Sequence, residues 1–200
     1  MPPPAVWLAP PSPAGKPGQR TDDPPGPLLP RWAIDRVRRE FTQHGPRRAP
    51  VPLLCLDVQD TRLGMDAHTY VRASKSADIR RGAPVLLAQL PHHIPLGGPS
   101  DRLPGFFYRT YRLLSDSTGM LLVACRQHHE AGGELIDPCG QVVAAARGAG
   151  FAYRQHILVV HAFAHDGRLH PTPDAPPPHT QGATWRHRTI HTDLLVFTPA

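Results

Sequence analysis

Ile136–His165 reads IDPCGQVVAAARGAGFAYRQHILVVHAFAH, and its period changes at Gly150. Before that glycine, Val142, Val143 and Ala146 recur at helical spacing. Asp137 stands ahead of them as N-cap, Pro138 occupies the first helical position, and Gly150 is the stop. After it, Phe151–His165 is an apolar run suited to one long strand, closed by the turn pair Asp166-Gly167. A helix handed to a strand in this way is half of an α/β unit, so the flanking sequence should supply more such units.

It does. Upstream, MLLVAC (120–125) reads as a short buried strand, and GFFYRTYRLL (105–114) as an amphipathic helix with Phe107, Tyr111 and Leu114 at i, i+4 and i+7. VLLAQL (85–90) is a further strand, stopped at Pro91-His92-His93, and PVPLLCLDV (50–58) is another, with Asp57 at its C-terminal end. Both are continuously apolar, which suits strands covered on two faces, as in a parallel sheet. Trp32, Ala33, Val37 and Phe41 predict a helix from Pro30, ended by His44-Gly45-Pro46, with Arg36, Arg38 and Arg39 on its wet face. Downstream of a Pro- and His-rich loop at 167–190, TDLLVFTP (192–199) supplies the last strand. Residues 59–83 are polar and weakly periodic, and predict only local structure.

Alternation of this kind predicts an α/β fold with a Rossmann-like open sheet, mostly parallel, closed by an antiparallel C-terminal hairpin at one edge. In such sheets ligands sit beyond the C-terminal ends of the strands, where Asp57 and the Pro91-His92-His93 step both belong. Residues 1–30 hold PPP, PPSP and DDPPGP, and predict a disordered Pro-rich tail in which Trp7 is loosely placed. The domain itself is expected to span 31–200.

The formal net charge is +6, with lysine only at positions 16 and 75, so arginine carries nearly all the basic charge. That balance favours polyanionic partners, although an Arg-, Pro- and Ala-rich composition is equally the mark of GC-rich coding. The 3 cysteines are odd in number and unpaired in spacing, which argues against a secreted disulfide framework. With no signal-type N-terminus and no apolar run near the ~20 residues a bilayer crossing needs, a cytoplasmic chain without membrane contact is expected.

GMLLVACR, GGELIDPCGQVVAAARGAGFAYRQHILVVHAFAHDGRL and HTDLLVFTPA carry a likeness that extends over residues 105–200, roughly half the chain. They resemble the last three strands and intervening helix of class I S-adenosylmethionine-dependent methyltransferases, more narrowly the actinobacterial DNA-modification enzymes. PGPLLPRWAIDRVRREF resembles, less closely, the helix before that family's first strand. The resemblance implies transfer of a methyl group from S-adenosylmethionine to an exocyclic amino nitrogen of a DNA base. It places Asp57, Val58 and Gln59 at the cofactor, and implies that Gln89 and Pro91 hold the target while His92 stacks on the flipped base.

The chain departs from the family pattern at both motifs. Where the family has a Gly-rich turn after the first strand, this sequence has Val58, Gln59 and Asp60, whose Cβ atoms oppose close backbone approach. Only 27 residues separate Asp57 from Val85, too few for the two helices and two strands that usually intervene. The competing expectation is therefore a degenerate, non-catalytic relative that uses its sheet for binding or partner docking.

Of the histidines, His128 and His129 with Cys125 and Cys139 form the best metal set. They lack a second close ligand pair, and the histidines read as solvated side chains with no metal expected. His161 and His165, four apart, read as one face of the long strand. No G-x-S-x-G, phosphate-binding P-loop or H-E-x-x-H occurs, so hydrolase and nucleotidase chemistry has no foothold.

Overall fold

The computed structural model describes residues 4–11, 28–43, 51–57, 70–71, 85–91, 101–114, 119–129, 134–172, 175 and 190–200. Strand β1 (Ala5–Leu8) is followed by α1 (Arg31–Phe41), β2 (Leu53–Asp57), β3 (Tyr70–Val71), β4 (Val85–Gln89) and α2 (Leu103–Leu113). Then come β5 (Met120–Cys125), β6 (His128–His129), β7 (Leu135–Ile136), α3 (Cys139–Gly148), β8 (Phe151–Val160), β9 (Ala162–His165), β10 (Arg168–Pro171) and β11 (His191–Pro199).

Among the described residues, seven strands make one sheet in the order β1-β8-β11-β5-β4-β2-β3. Neighbours run parallel except where β11 lies between β8 and β5 and where the two-residue β3 borders β2. The fold is thus α/β with a mostly parallel mixed sheet. Two small antiparallel pairs, β9–β10 and β6–β7, stand outside it.

Alternation along each strand divides the core between two faces. Leu86 and Ala88 of β4, Leu121 and Val123 of β5, and Leu195 and Phe197 of β11 pack with Phe107 of α2 and with Val142 and Ala146 of α3. The residues between them, Leu87, Leu122, Ala124, Leu194 and Val196, pack with Ala33 and Val37 of α1. Each fully buried leucine contributes about 1.5–3 kcal/mol of transfer free energy, so the two-sided burial of β4, β5 and β11 is the main source of stability. Arg36–Glu40 at 2.6 Å and Arg38–Asp35 at 2.8 Å lie on the wet face of α1, where such pairs add only tenths of a kcal/mol. Among the described residues, no helix is long and apolar enough to cross a membrane.

Four expectations need correction. Of the tail expected over 1–30, residues 1–3 and 12–27 lie outside the described residues, and the two described parts belong to the fold. Ala5–Leu8 forms an edge strand in parallel register with Ile157–Val160, and Trp7, Leu28 and Leu29 are buried. The expected C-terminal hairpin takes another form: β11 pairs antiparallel with β8 after β9 and β10 have formed a hairpin of their own, and the pair is not an edge, since β11 inserts between β8 and β5 and β1 takes the edge.

The long strand from Phe151 breaks at His161. Its N–H donates to the Ile190 carbonyl (2.8 Å), one step beyond the His191–Val160 pair of β8–β11, and its carbonyl accepts from Thr172 N–H (3.0 Å), one step beyond the Pro171–Ala162 pair of β9–β10, so the chain changes partner strands at this residue. His161 and His165 therefore sit in different settings, the first buried and the second exposed on β9. The β9–β10 turn is Asp166-Gly167 with φ of 47° and 68°, the left-handed pair that a two-residue hairpin demands.

The fourth correction is small: α3 begins at Cys139 with Pro138 as N-cap residue, while Asp137 Oδ1 accepts the Cys139 N–H at 3.0 Å. Gly150, at φ 96°, closes the helix as its sequence position predicts, and a Cβ there would press on the Tyr111 ring at 3.2 Å. The helix end expected at 44–46 lies outside the described residues; α1 ends at Phe41.

Candidate functional site

The C-terminal ends of β2, β4 and β5 share one rim. Asp57 pairs in register with Gln89, and Gln89 with Ala124. The chain leaves β2 outward to β3 and returns to the other side of β2 as β4, so strand order reverses between β2 and β4. With α1 on one face and α2 and α3 on the other, that reversal is where an open α/β sheet forms its crevice. Leu90 N–H donates to the Ala124 carbonyl at 2.9 Å, extending the β4 ladder by one residue, and the half-buried Pro91, lacking an N–H, ends it.

Of the residues expected here, Gln89 and Pro91 are described in full. Asp57 is placed through its backbone pairing. Val58, Gln59 and His92 lie outside the described residues.

Gln89 has a partner that the sequence did not foretell. Its side chain lies on the α1 face, where Oε1 accepts the Leu29 N–H at 2.8 Å. The same segment is held one residue earlier: the Leu28 carbonyl accepts from Arg126 Nη2 at 3.0 Å and from Thr192 Oγ1 at 3.0 Å. Arg126 also donates to Thr192 Oγ1 through Nη2 (2.8 Å) and Nε (3.2 Å). His161 Nε2 lies 2.8 Å from that hydroxyl and 3.2 Å from Arg126 Nη2. Residues 28–30 are thereby drawn across the rim by side chains from β4, the end of β5, β11 and the break after β8. None of these long-range partners has a sequence signal, because each is an ordinary polar residue at a strand end.

Thr192 is the hub of this cluster and is fully buried. Thr192→Val keeps the shape but leaves Arg126, His161 and the Leu28 carbonyl each short of a partner. A loss of about 1–3 kcal/mol is expected by urea denaturation, with Thr192→Ser close to wild type. Equal stability of valine and serine variants would remove the hub.

On the opposite face the rim carries a second polar group. Cys125, at the end of β5, is the cross-strand partner of Asp193 on β11, and Cys125 Sγ meets Cys139 Sγ at 3.8 Å. His156 Nε2 and Asp193 Oδ1 are 2.8 Å apart. Contact with Cys125 pushes the Cys139 thiol far up, and burial and the nearby Asp193 carboxylate push the same way. Tyr153 is raised as well, first by burial and then by Cys139 and Asp193.

The metal set weighed from sequence is thus divided. Its two cysteines come together, whereas His128 and His129 pair as β6 with β7. His156 and Asp193 were missed, though a carboxylate inside the apolar strand TDLLVF was the one available signal.

A scan against models of known protein families gives no match, and no curated protein matches the chain.

Proposed function

We propose that this chain is a shortened, Rossmann-like methyltransferase domain. It takes S-adenosylmethionine in the crevice between β2 and β4 and directs the methyl group to an exocyclic amino nitrogen of a DNA base. The observation that carries the reading is the side-by-side register of Asp57 and Gln89 where strand order reverses, within a sheet that includes a reversed strand paired antiparallel with β8. The methyl donor brings its own leaving group, so acid–base help is secondary and alignment matters most. In this proposal Asp57 borders the cofactor with Val58 and Gln59, Gln89 and Pro91 orient the target amino group, and His92 stacks on the base. The net charge of +6 is in keeping with a polyanionic substrate.

Isothermal titration with S-adenosylmethionine should give saturable heat at one site per chain. Transfer of tritiated methyl to DNA should then fall about 10²-fold in Gln89→Ala and in Pro91→Ala, the scale set by misplacing a reacting group. An absence of heat at millimolar cofactor would remove the enzyme.

A second reading, a non-catalytic docking module, is favoured by one contact. Gln89 Oε1, the acceptor a target amino group needs, is already engaged by the Leu29 N–H. Cofactor binding without transfer to any DNA would select this reading.

A further inference from the structure

We propose that Cys125, Cys139, His156 and Asp193 form a structural zinc site that clamps the start of α3 to β5, β8 and β11. This goes beyond the methyltransferase reading and does not depend on it, since these side chains lie on the α2/α3 face of the sheet, away from the Gln89–Leu29 contact.

The donor set is what zinc takes: two thiolates, an imidazole and a carboxylate. One ligand atom each from Cys139, His156 and Asp193 lie within 4.8 Å of one another. Cys125 Sγ lies 3.8 Å from Cys139 Sγ but outside that group of three, so it becomes the fourth donor only by turning its side chain toward His156 and Asp193. In a tetrahedron with zinc–sulfur bonds of about 2.3 Å, the sulfurs stand roughly 3.8 Å apart, so the two cysteines already have the separation of zinc ligands. His156 Nε2 and Asp193 Oδ1, now 2.8 Å apart, need to part by about half an ångström to admit the ion at bonds of about 2.0 Å.

Burial supplies an independent argument. Asp193 is 2% exposed, yet its Oδ2 has no hydrogen-bond partner among the described residues. A buried carboxylate with an empty oxygen is costly, and the Cys139 thiol beside it can ionise only by adding a second buried negative charge. A divalent cation reverses both terms at once, stabilising the carboxylate and allowing the thiols to ionise as ligands.

The elements hold the donors in place. Cys125 and Asp193 face one another across the β5–β11 ladder, and the turn through Asp137 presents Cys139 at the first position of α3. His191 Nε2, 3.6 Å from Asp193 Oδ1, backs the carboxylate from the rim. With Cys125 turned in, four protein donors leave no open position, which marks a structural rather than a catalytic ion.

The test is cobalt titration of the full reduced chain, followed by zinc analysis. One equivalent of cobalt should give the visible spectrum of a tetrahedral ion with thiolate charge-transfer bands, displaced by zinc. Zinc should also raise the thermal midpoint by about 5–10 °C at a hundredfold excess over its dissociation constant. Cys139→Ser and His156→Gln should each weaken cobalt binding by roughly tenfold or more, whereas His165→Ala, an exposed histidine on β9, should leave it unchanged. Binding without thiolate bands means surface histidines and overturns the site. A Cys125–Cys139 disulfide in the non-reduced peptide map of protein purified with zinc overturns it equally. Should either variant fail to fold, the wild-type spectrum alone decides.

Discussion

Phe107→Ala should cost about 3–5 kcal/mol, among the largest single-residue effects in the chain. Phe107 is fully buried and sits at the centre of an aromatic group that joins three elements. Its ring meets Phe106 of α2 at 5.0 Å, Phe197 of β11 at 5.8 Å and Phe151 of β8 at 6.1 Å, all edge to face. Tyr111, one turn further along α2, closes on Phe151 at 5.3 Å. Alanine would remove the ring that α2 inserts between the two antiparallel strands and leave a cavity that rigid sheet cannot fill. Phe107→Leu retains volume and should lose far less, about 1–2 kcal/mol. Chemical denaturation at fixed zinc and salt reads both. A small effect from alanine would mean that α2 does not dock on β8 and β11 as described.

Trp7→Ala should be nearly as damaging, about 3–5 kcal/mol, although Trp7 stands in the Pro-rich N-terminal stretch. The indole is 2% exposed and packs on the α1 face. Its ring lies 6.3 Å from Phe41, and Arg36 Cζ lies 4.6 Å from the ring centroid, a cation–π contact. Ala9 N–H donates to the Ala162 carbonyl at 3.0 Å and so extends the pairing of β1.

Deletion of residues 1–11 should reproduce the loss and add a second phenotype. It would uncover the edge of β8, a strand with buried Ile157 and Val159 and unpaired backbone groups, and concentration-dependent association should follow. A truncated chain as stable and monomeric as the full one would place β1 outside the fold.

Much of the architecture could be read from local pattern. Val85–Leu90 and Met120–Cys125 are strands because uninterrupted apolar runs of that length suit burial on both faces. Phe107, Tyr111 and Leu114 recur at helical spacing, and α2 buries Phe107 and half-buries Tyr111 as that spacing requires. Trp7 was misjudged because a single aromatic among prolines has no period; its burial depends on α1, which lies beyond the Pro-rich stretch. The break at His161 has no local signal for a related reason: it is the point where the chain passes from pairing with β11, through Ile190, to pairing with β10, through Thr172, and both partners lie well downstream.

The candidate sites divide along the same line. Position on the rim was legible: a strand ending in Asp57 and another ending at Pro91 must expose those ends together if both strands are parallel neighbours. Side-chain engagement was not. Gln89 and Leu29 are 60 residues apart, and Cys139, His156 and Asp193 come from three separate elements.

By itself the sequence determined the helices α1, α2 and α3 and the strands β2, β4, β5, β8 and β11, that β4 and β5 are covered on two faces, and which of these strand ends carry polar residues, because periodicity and turn chemistry act over a few neighbours. Only the tertiary structure decided that β11 enters between β5 and β8, that Ala5–Leu8 completes the edge, and that a buried aspartate meets a histidine and a cysteine on one face. Those outcomes depend on the order in which strands pair across the sheet, and pairing is a long-range choice that no local pattern encodes.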